Sequence, residues 1–97
     1  MPNYIVLGNW TDQGIRNVKD SPKRAVTAKE MVQKAGGKWH GIYYTFGQYD
    51  FVVVTEFPND QTAFTFALTI GSLGNARTTT LKAFPESEGF EIIGKLR

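Results

Sequence analysis

With 97 residues and a mass of 10.9 kDa, the chain has room for one core, so we expect residues 1–97 to form a single domain. Eleven basic and nine acidic residues are scattered along it, which argues against nucleic-acid binding, and the absence of cysteine excludes disulfides, thiolate metal sites and thiol catalysis. No stretch approaches the roughly 18 apolar residues of a membrane span, and the first residues lack the pattern of a signal peptide. We therefore expect a cytoplasmic protein without a membrane partner.

The first half of the sequence predicts a strand and then a helix. Residues 4–10, YIVLGNW, are apolar and rich in strand-forming residues, and TDQG interrupts the pattern after them. Ser21 and Pro22 are typical of a helix start, with the serine as N-cap and the proline in the first turn. Small and apolar residues then recur at helical spacing until Gly36 and Gly37 end the helix.

The second half predicts a hairpin, a second helix, a last strand and a short helix. Residues 38–46 and 49–57 form the hairpin strands, and Gly47 with Gln48 suits a two-residue type II′ turn between them. The second helix starts after residue 58, a strand covers residues 77–84, and residues 86–96 have helical spacing. The buried face of the second helix is predicted to contain Ala63, Phe64, Ala67, Leu68 and Gly71.

The order βαββαβ plus a short C-terminal helix predicts an α+β, ferredoxin-like fold, with one antiparallel sheet and two helices on one face. Strand alternation divides the sheet residues into two sets. The set assigned to the helices is His40, Ile42, Tyr44, Phe46, Tyr49, Phe51 and Val53, with Ile5, Leu7, Leu81 and Ala83. The other set is Trp39, Tyr43, Thr45, Asp50, Val52, Val54 and Glu56, with Tyr4, Val6, Trp10, Thr78 and Thr80. Because this second set is too apolar to face water, we expect it to pack on a second copy and enclose a cavity.

Three segments of the sequence resemble the GYD domain family: GQYD, GSLGNARTTTLKAF and YIVLGNWTDQGIRNVKDSPKR. The resemblance covers nearly the whole chain and rests on Gly47, Tyr49 and Asp50, which give the family its name, and on residues 73–75 and 77–80. It implies a dimeric α/β barrel of ferredoxin-like domains. It implies no biochemical role, because the family has none that is established.

Asp50 is the most distinctive candidate, since it stands in an aromatic and β-branched run. In a cavity walled by Trp10, Tyr43 and Val52, desolvation would raise its pKa toward that of a general base, unless Arg77 paired with it. The alternative is a structural carboxylate at a hydrated hairpin end, where it accepts backbone hydrogen bonds.

Two further titratable residues bear on catalysis. His40, the only histidine, is either a lone base or a partly buried structural residue. Glu56 shares the parity of Asp50 but lies roughly 20 Å along the strand, which is too far for paired-carboxylate chemistry. With no second histidine, we expect no metal site, and we expect no cofactor, haem included.

The residues proposed to bind a ligand are Trp10, Tyr43, Tyr49, Arg77 and Thr78. Aromatic side chains on a sheet stack flat ligands, but they also pack dimer interfaces. The turn before Arg77 either binds an anion through backbone N–H groups or simply ends a helix at Gly74.

Several functions are compatible with this sequence. The first is a homodimer that binds a small organic molecule between its sheets, and the second is a cofactor-independent monooxygenase or isomerase with Asp50 or His40 as base. The third is a structural assembly unit without a ligand. An RNA-recognition motif has the same element order, but Gly47, Asp50 and Val54 replace the basic, small and aromatic residues of its third strand, so we expect no RNA binding.

Overall fold

A computed structural model describes residues 1–97 as four strands and four α-helices. The elements are β1 Asn3–Trp10, α1 Asp12–Arg16, α2 Ser21–Lys34, β2 Lys38–Tyr44, β3 Phe51–Glu56, α3 Asp60–Ser72, β4 Ala76–Ala83 and α4 Glu86–Gly94. All strands pair antiparallel in one sheet with the order β2-β3-β1-β4. The predicted α+β, ferredoxin-like fold is confirmed, and only the short helix α1 and a 3₁₀ turn at Val18–Asp20 were not expected. No helix is both long enough and apolar enough to cross a membrane.

The core lies between the sheet and the helices α2 and α3. Tyr4 of β1 packs with Val32 of α2, Phe66 of α3 and Phe57, which follows β3. Phe57 and Val32 have no exposed surface. Thr55 is also fully buried, and its hydroxyl donates to the Tyr4 carbonyl at 3.1 Å, so the core holds no unpaired hydroxyl there.

The predicted faces of β1 and β4 were wrong. Tyr4 and Val6 are buried toward the helices, whereas Ile5 and Leu7 lie on the opposite face. Thr78 and Thr80 pair with Gly8 and Val6, so they also face the helices, and Leu81 and Ala83 do not. The reason is that both alternating sets of β1 are apolar, so alternation alone does not select the buried one.

A β-bulge in β2 makes the predicted faces of two further residues wrong. The register shifts between Trp39 and Gly41, so that Trp39 pairs with Thr55 while Gly41 pairs with Val54. The extra residue, His40, reverses the alternation on its N-terminal side. Trp39 therefore packs against the core, and His40 lies beside Glu56 instead of facing the helices.

Between the bulge and the hairpin loop the β2–β3 register was predicted correctly, since Tyr44 pairs with Phe51 and Tyr43 with Val52. The strands end earlier than expected, however. A loop replaces the two-residue turn, and Phe46, which was assigned to the helix face, is fully exposed.

One helix assignment also differs. In α3 the buried residues are Ala63 and Phe66, and the predicted Phe64 and Leu68 are exposed. The N-cap of α3 is Asn59, at the predicted start of the helix, and its side chain accepts from the Thr62 N–H at 2.9 Å. The α4 helix forms as expected, but it buries none of its residues.

Candidate functional site

The sheet face turned away from α2 and α3 has an uncovered apolar patch, bordered by the polar Asn3, Asn9 and Thr79. We call it the open face, and it comprises Ile5, Leu7, Tyr43, Val52, Val54 and Leu81. The side chains are contributed by all four strands, and Tyr43 and Leu81 are 65% and 46% exposed. Contiguous apolar patches of this kind mark surfaces that contact another molecule. The prediction of one apolar face beyond the helices is therefore confirmed, although its members on β1 and β4 are the opposite residues.

A second apolar surface lies on α4. Phe90, Ile93 and Leu96 follow one another at intervals of three residues in or just after this helix, and all are 63% exposed or more. Phe84, directly before the helix, is exposed as well. The four side chains have no partner within the chain that buries them.

The only histidine is paired with a glutamate at one end of the open face. The His40 Nε2 atom lies 2.6 Å from the Glu56 Oε2 atom. This hydrogen bond is the main reason that the pKa of Glu56 is lowered from its ordinary value. The pair fixes the orientation of the imidazole. It lies at a hydrated edge of the sheet, however, whereas a general base is usually desolvated in a pocket.

Asp50 lies at the opposite end of the sheet and binds backbone. Its Oδ2 atom accepts from the Trp10 N–H at 2.8 Å, at the end of β1. Its own N–H donates to the Gly8 carbonyl at 2.8 Å, and its carbonyl accepts from the Thr45 N–H at 2.9 Å. No ion pair joins Asp50 to Arg77. The contacts correspond to the structural reading of Asp50, while its role as a base stays a prediction.

The five proposed ligand residues are not brought together. Tyr43 and Arg77 are exposed on the same side of the sheet as the open face. Trp10 and Thr78 lie on the helix side, and Tyr49 belongs to the hairpin loop. An inter-sheet ligand would therefore meet at most Tyr43 and Arg77 of this set.

The turn between α3 and β4 is occupied by α1. Gly74 has a φ of +83°, and its N–H donates to the Gly71 carbonyl at 3.1 Å, so it ends α3 as a glycine C-cap. The Thr11 N–H donates to the Asn75 carbonyl at 3.2 Å, and the Gln13 side chain donates to the Leu73 carbonyl at 3.2 Å. The turn thus presents acceptors to α1, and it is not an anion-binding nest.

A buried tyrosine joins β1 to α3. The Tyr4 hydroxyl donates to Asp60, which also pairs with the Lys82 ammonium at 3.1 Å. Burial, and then the nearby Asp60 carboxylate, raise the pKa of Tyr4 to about 12. The hydrogen bonds from Tyr4 and Lys82 lower the pKa of Asp60. The phenol is consequently a neutral donor that positions the start of α3.

An apolar cavity lies on the helix side, where the sequence did not predict one. It has a volume of about 230 Å³ between α2, α3 and the sheet. Trp10, Trp39 and Phe66 contribute aromatic walls, and Lys23 and Arg24 of α2 are its charged residues. The only feature of the sequence that marks this place is the Lys23-Arg24 pair directly after Ser-Pro. The pair does not predict that the start of α2 borders a cavity.

Comparison with known proteins gives the family of this chain. The family model for the GYD domain matches residues 4–93. The chain belongs to the GYD family. This GYD domain is also 33% identical over 98 residues to a protein of Thermus thermophilus, and the match covers all of both chains. The relative is named glutamine synthetase and cystathionine beta-lyase binding protein. No solved structure matches this GYD domain.

Proposed function

We propose that this GYD domain is a protein-binding module that uses its open face to contact a second copy of itself and binds partner enzymes as that dimer. The observation that carries the proposal is the apolar, uncovered face of the sheet. An antiparallel sheet with helices on one side only leaves its other side to water, and such a side is ordinarily polar. Here Leu7, Val54 and Leu81 occupy it instead.

The partner class is inferred from the Thermus thermophilus relative. That protein is named for binding glutamine synthetase and cystathionine beta-lyase, and the match runs over the full length of both chains. We therefore propose enzymes of amino-acid metabolism as partners of this chain. The exposed side chains of α4 support a protein partner as well, because Phe90 and Ile93 offer a second apolar surface.

A small organic molecule between the sheets of the homodimer is the second candidate. The exposed phenol of Tyr43 would supply contact area in that space, and the exposed guanidinium of Arg77 would orient an anionic group. This candidate depends on the same homodimer as the first one. It adds to protein binding and does not replace it.

The test is binding of purified glutamine synthetase and cystathionine β-lyase from the source organism, measured by biolayer interferometry with the GYD domain immobilised. Val54→Glu places a charge in the centre of the open face, whereas Val26→Glu makes the same change at an exposed position of α2. We expect wild type and Val26→Glu to bind at least one enzyme and Val54→Glu to lose that binding, because a buried unpaired charge disrupts an interface. Equal binding by both variants, or no binding by wild type, would contradict the proposal.

A further inference from the structure

The cavity between α2 and α3 contains a charged group that its apolar walls do not explain. The Nη2 atom of Arg24 is buried and has no hydrogen-bond partner. The other terminal nitrogen, Nη1, donates to the Asn17 carbonyl at 3.0 Å, and the guanidinium carbon lies 5.9 Å from the centre of the Trp10 ring. The guanidinium is therefore held in place on one side while one of its donors stays unused. Buried donors of this kind are rare unless water or another molecule accepts from them.

The charges around the cavity are all positive. Lys23 and Arg24 are the only charged residues that line it, and no aspartate or glutamate does. Both stand in the first turn of α2, a helix of 14 residues, where the backbone also favours an anion. Asp20 precedes the helix, but its side chain makes no capping hydrogen bond and does not line the cavity. These positive charges consequently favour a negatively charged acceptor at Arg24.

The apolar residues that line the cavity indicate the uncharged part of a ligand that it could hold. Trp10 and Phe51 lie with ring centres 4.9 Å apart on the sheet side, and Met31 and Ile70 come from the two helices. A dry cavity of about 150 Å³ holds benzene. At about 230 Å³ this cavity is larger, so it has room for an apolar body of about eight carbon atoms.

We propose that this cavity binds a medium-chain carboxylate, whose chain lies among the aromatic walls and whose carboxylate accepts from Arg24 Nη2. The planar guanidinium suits a carboxylate because two of its N–H groups match the two oxygens. This site goes beyond the proposed protein binding, since it lies on the other side of the sheet and uses no residue of the open face. Failure of one therefore does not entail failure of the other.

The experiment is a titration of the purified protein with sodium octanoate, followed by tryptophan fluorescence and by calorimetry. The chain has two tryptophans and both line the cavity, so their emission reports directly on its occupancy. 1-Octanol and octyl phosphate serve as comparison ligands with the same chain length. Arg24→Met removes the guanidinium but keeps an apolar stem, and Lys34→Met is the matched control at the other end of α2.

We expect octanoate to bind with one-to-one saturation and octanol to bind about tenfold more weakly or worse, because it forms no charge-assisted hydrogen bond. Arg24→Met should abolish this preference, and Lys34→Met should retain it. Ala25→Phe, a change at a half-buried position of the cavity wall, should abolish binding of both ligands without loss of folding.

Four results would overturn the assignment. One is the absence of saturation by octanoate up to about 10 mM, which excludes any useful affinity. Another is equal affinity for octanoate and octanol in wild type, or a preference for octanoate that survives in Arg24→Met. Tighter binding of octyl phosphate than of octanoate would indicate a site for a phosphate group. The proposal of a carboxylate ligand would then be wrong.

Discussion

Substitution of Asp50 tests its structural role at the end of β1. Asp50 provides one side-chain hydrogen bond, from the Trp10 N–H to its Oδ2 atom at 2.8 Å, while the other two hydrogen bonds of this residue use its backbone. Asp50→Ala removes only the side-chain acceptor. A hydrogen bond to a charged group contributes about 1.5–3 kcal/mol, so we expect the free energy of unfolding to fall by about that amount.

Asp50→Asn should be milder, because its amide oxygen still accepts from the same N–H. Only the assistance of the charge is lost, and a neutral hydrogen bond is worth about 1 kcal/mol. We therefore expect the stability of the variants to follow the order wild type, Asn, Ala, with the Asn variant losing about half as much as the Ala variant.

Urea unfolding followed by tryptophan fluorescence measures these free energies, and a domain of this size loses about 4–8 °C in melting temperature for each kcal/mol. The reasoning would be refuted if Asp50→Ala were as stable as wild type, or if Asp50→Asn lost as much stability as Asp50→Ala. The first result would mean that water replaces the carboxylate at the end of β1 without loss.

Three further predictions concern the packing and the ion pairs. Phe57→Ala should lower stability by about 3–5 kcal/mol in urea unfolding because the ring has no exposed surface, and Phe46→Ala, at a fully exposed position, should change it little. Gly8→Ala should cost about 1–3 kcal/mol by the same assay, since the added methyl carbon would lie 2.0 Å from the Phe51 ring. The pKa of Glu56 is lowered in the folded protein. The contribution of its carboxylate to the free energy of unfolding is therefore complete above the carboxyl pKa of the unfolded chain, and it is lost as the pH falls through the lower folded value. Melting temperatures at acidic pH should therefore fall less steeply in Glu56→Gln than in wild type, and identical slopes would contradict the assignment.

The hairpin and the element order could be predicted from the sequence because they depend on local signals. Gly47 marks the loop between two strand-forming runs, and the pairing of Tyr44 with Phe51 follows from it even though the turn itself is longer. The bulge at His40 had only a weak signal, Gly41 inside the predicted strand, which is compatible with a bulge but does not identify the extra residue. A single extra residue reverses the alternation, which is why Trp39 was assigned to the wrong face.

Elements that are apolar on every side could not be oriented by periodicity. In α3, Phe64 and Phe66 are equally apolar, and only contact with Phe57 and the sheet determines that Phe66 is buried. The cavity beside Arg24 could not be predicted for a related reason. Its volume depends on how far α2 and α3 diverge over the sheet, and no local sequence pattern encodes that separation.

The central claim, that the open face contacts another protein molecule, is tested most directly by sedimentation velocity at tens of micromolar protein. We predict that wild type and Val26→Glu sediment as dimers and that Val54→Glu sediments as a folded monomer with an unchanged circular dichroism spectrum. A monomeric wild type, or a dimer that persists in Val54→Glu, would contradict the claim that this face forms the contact.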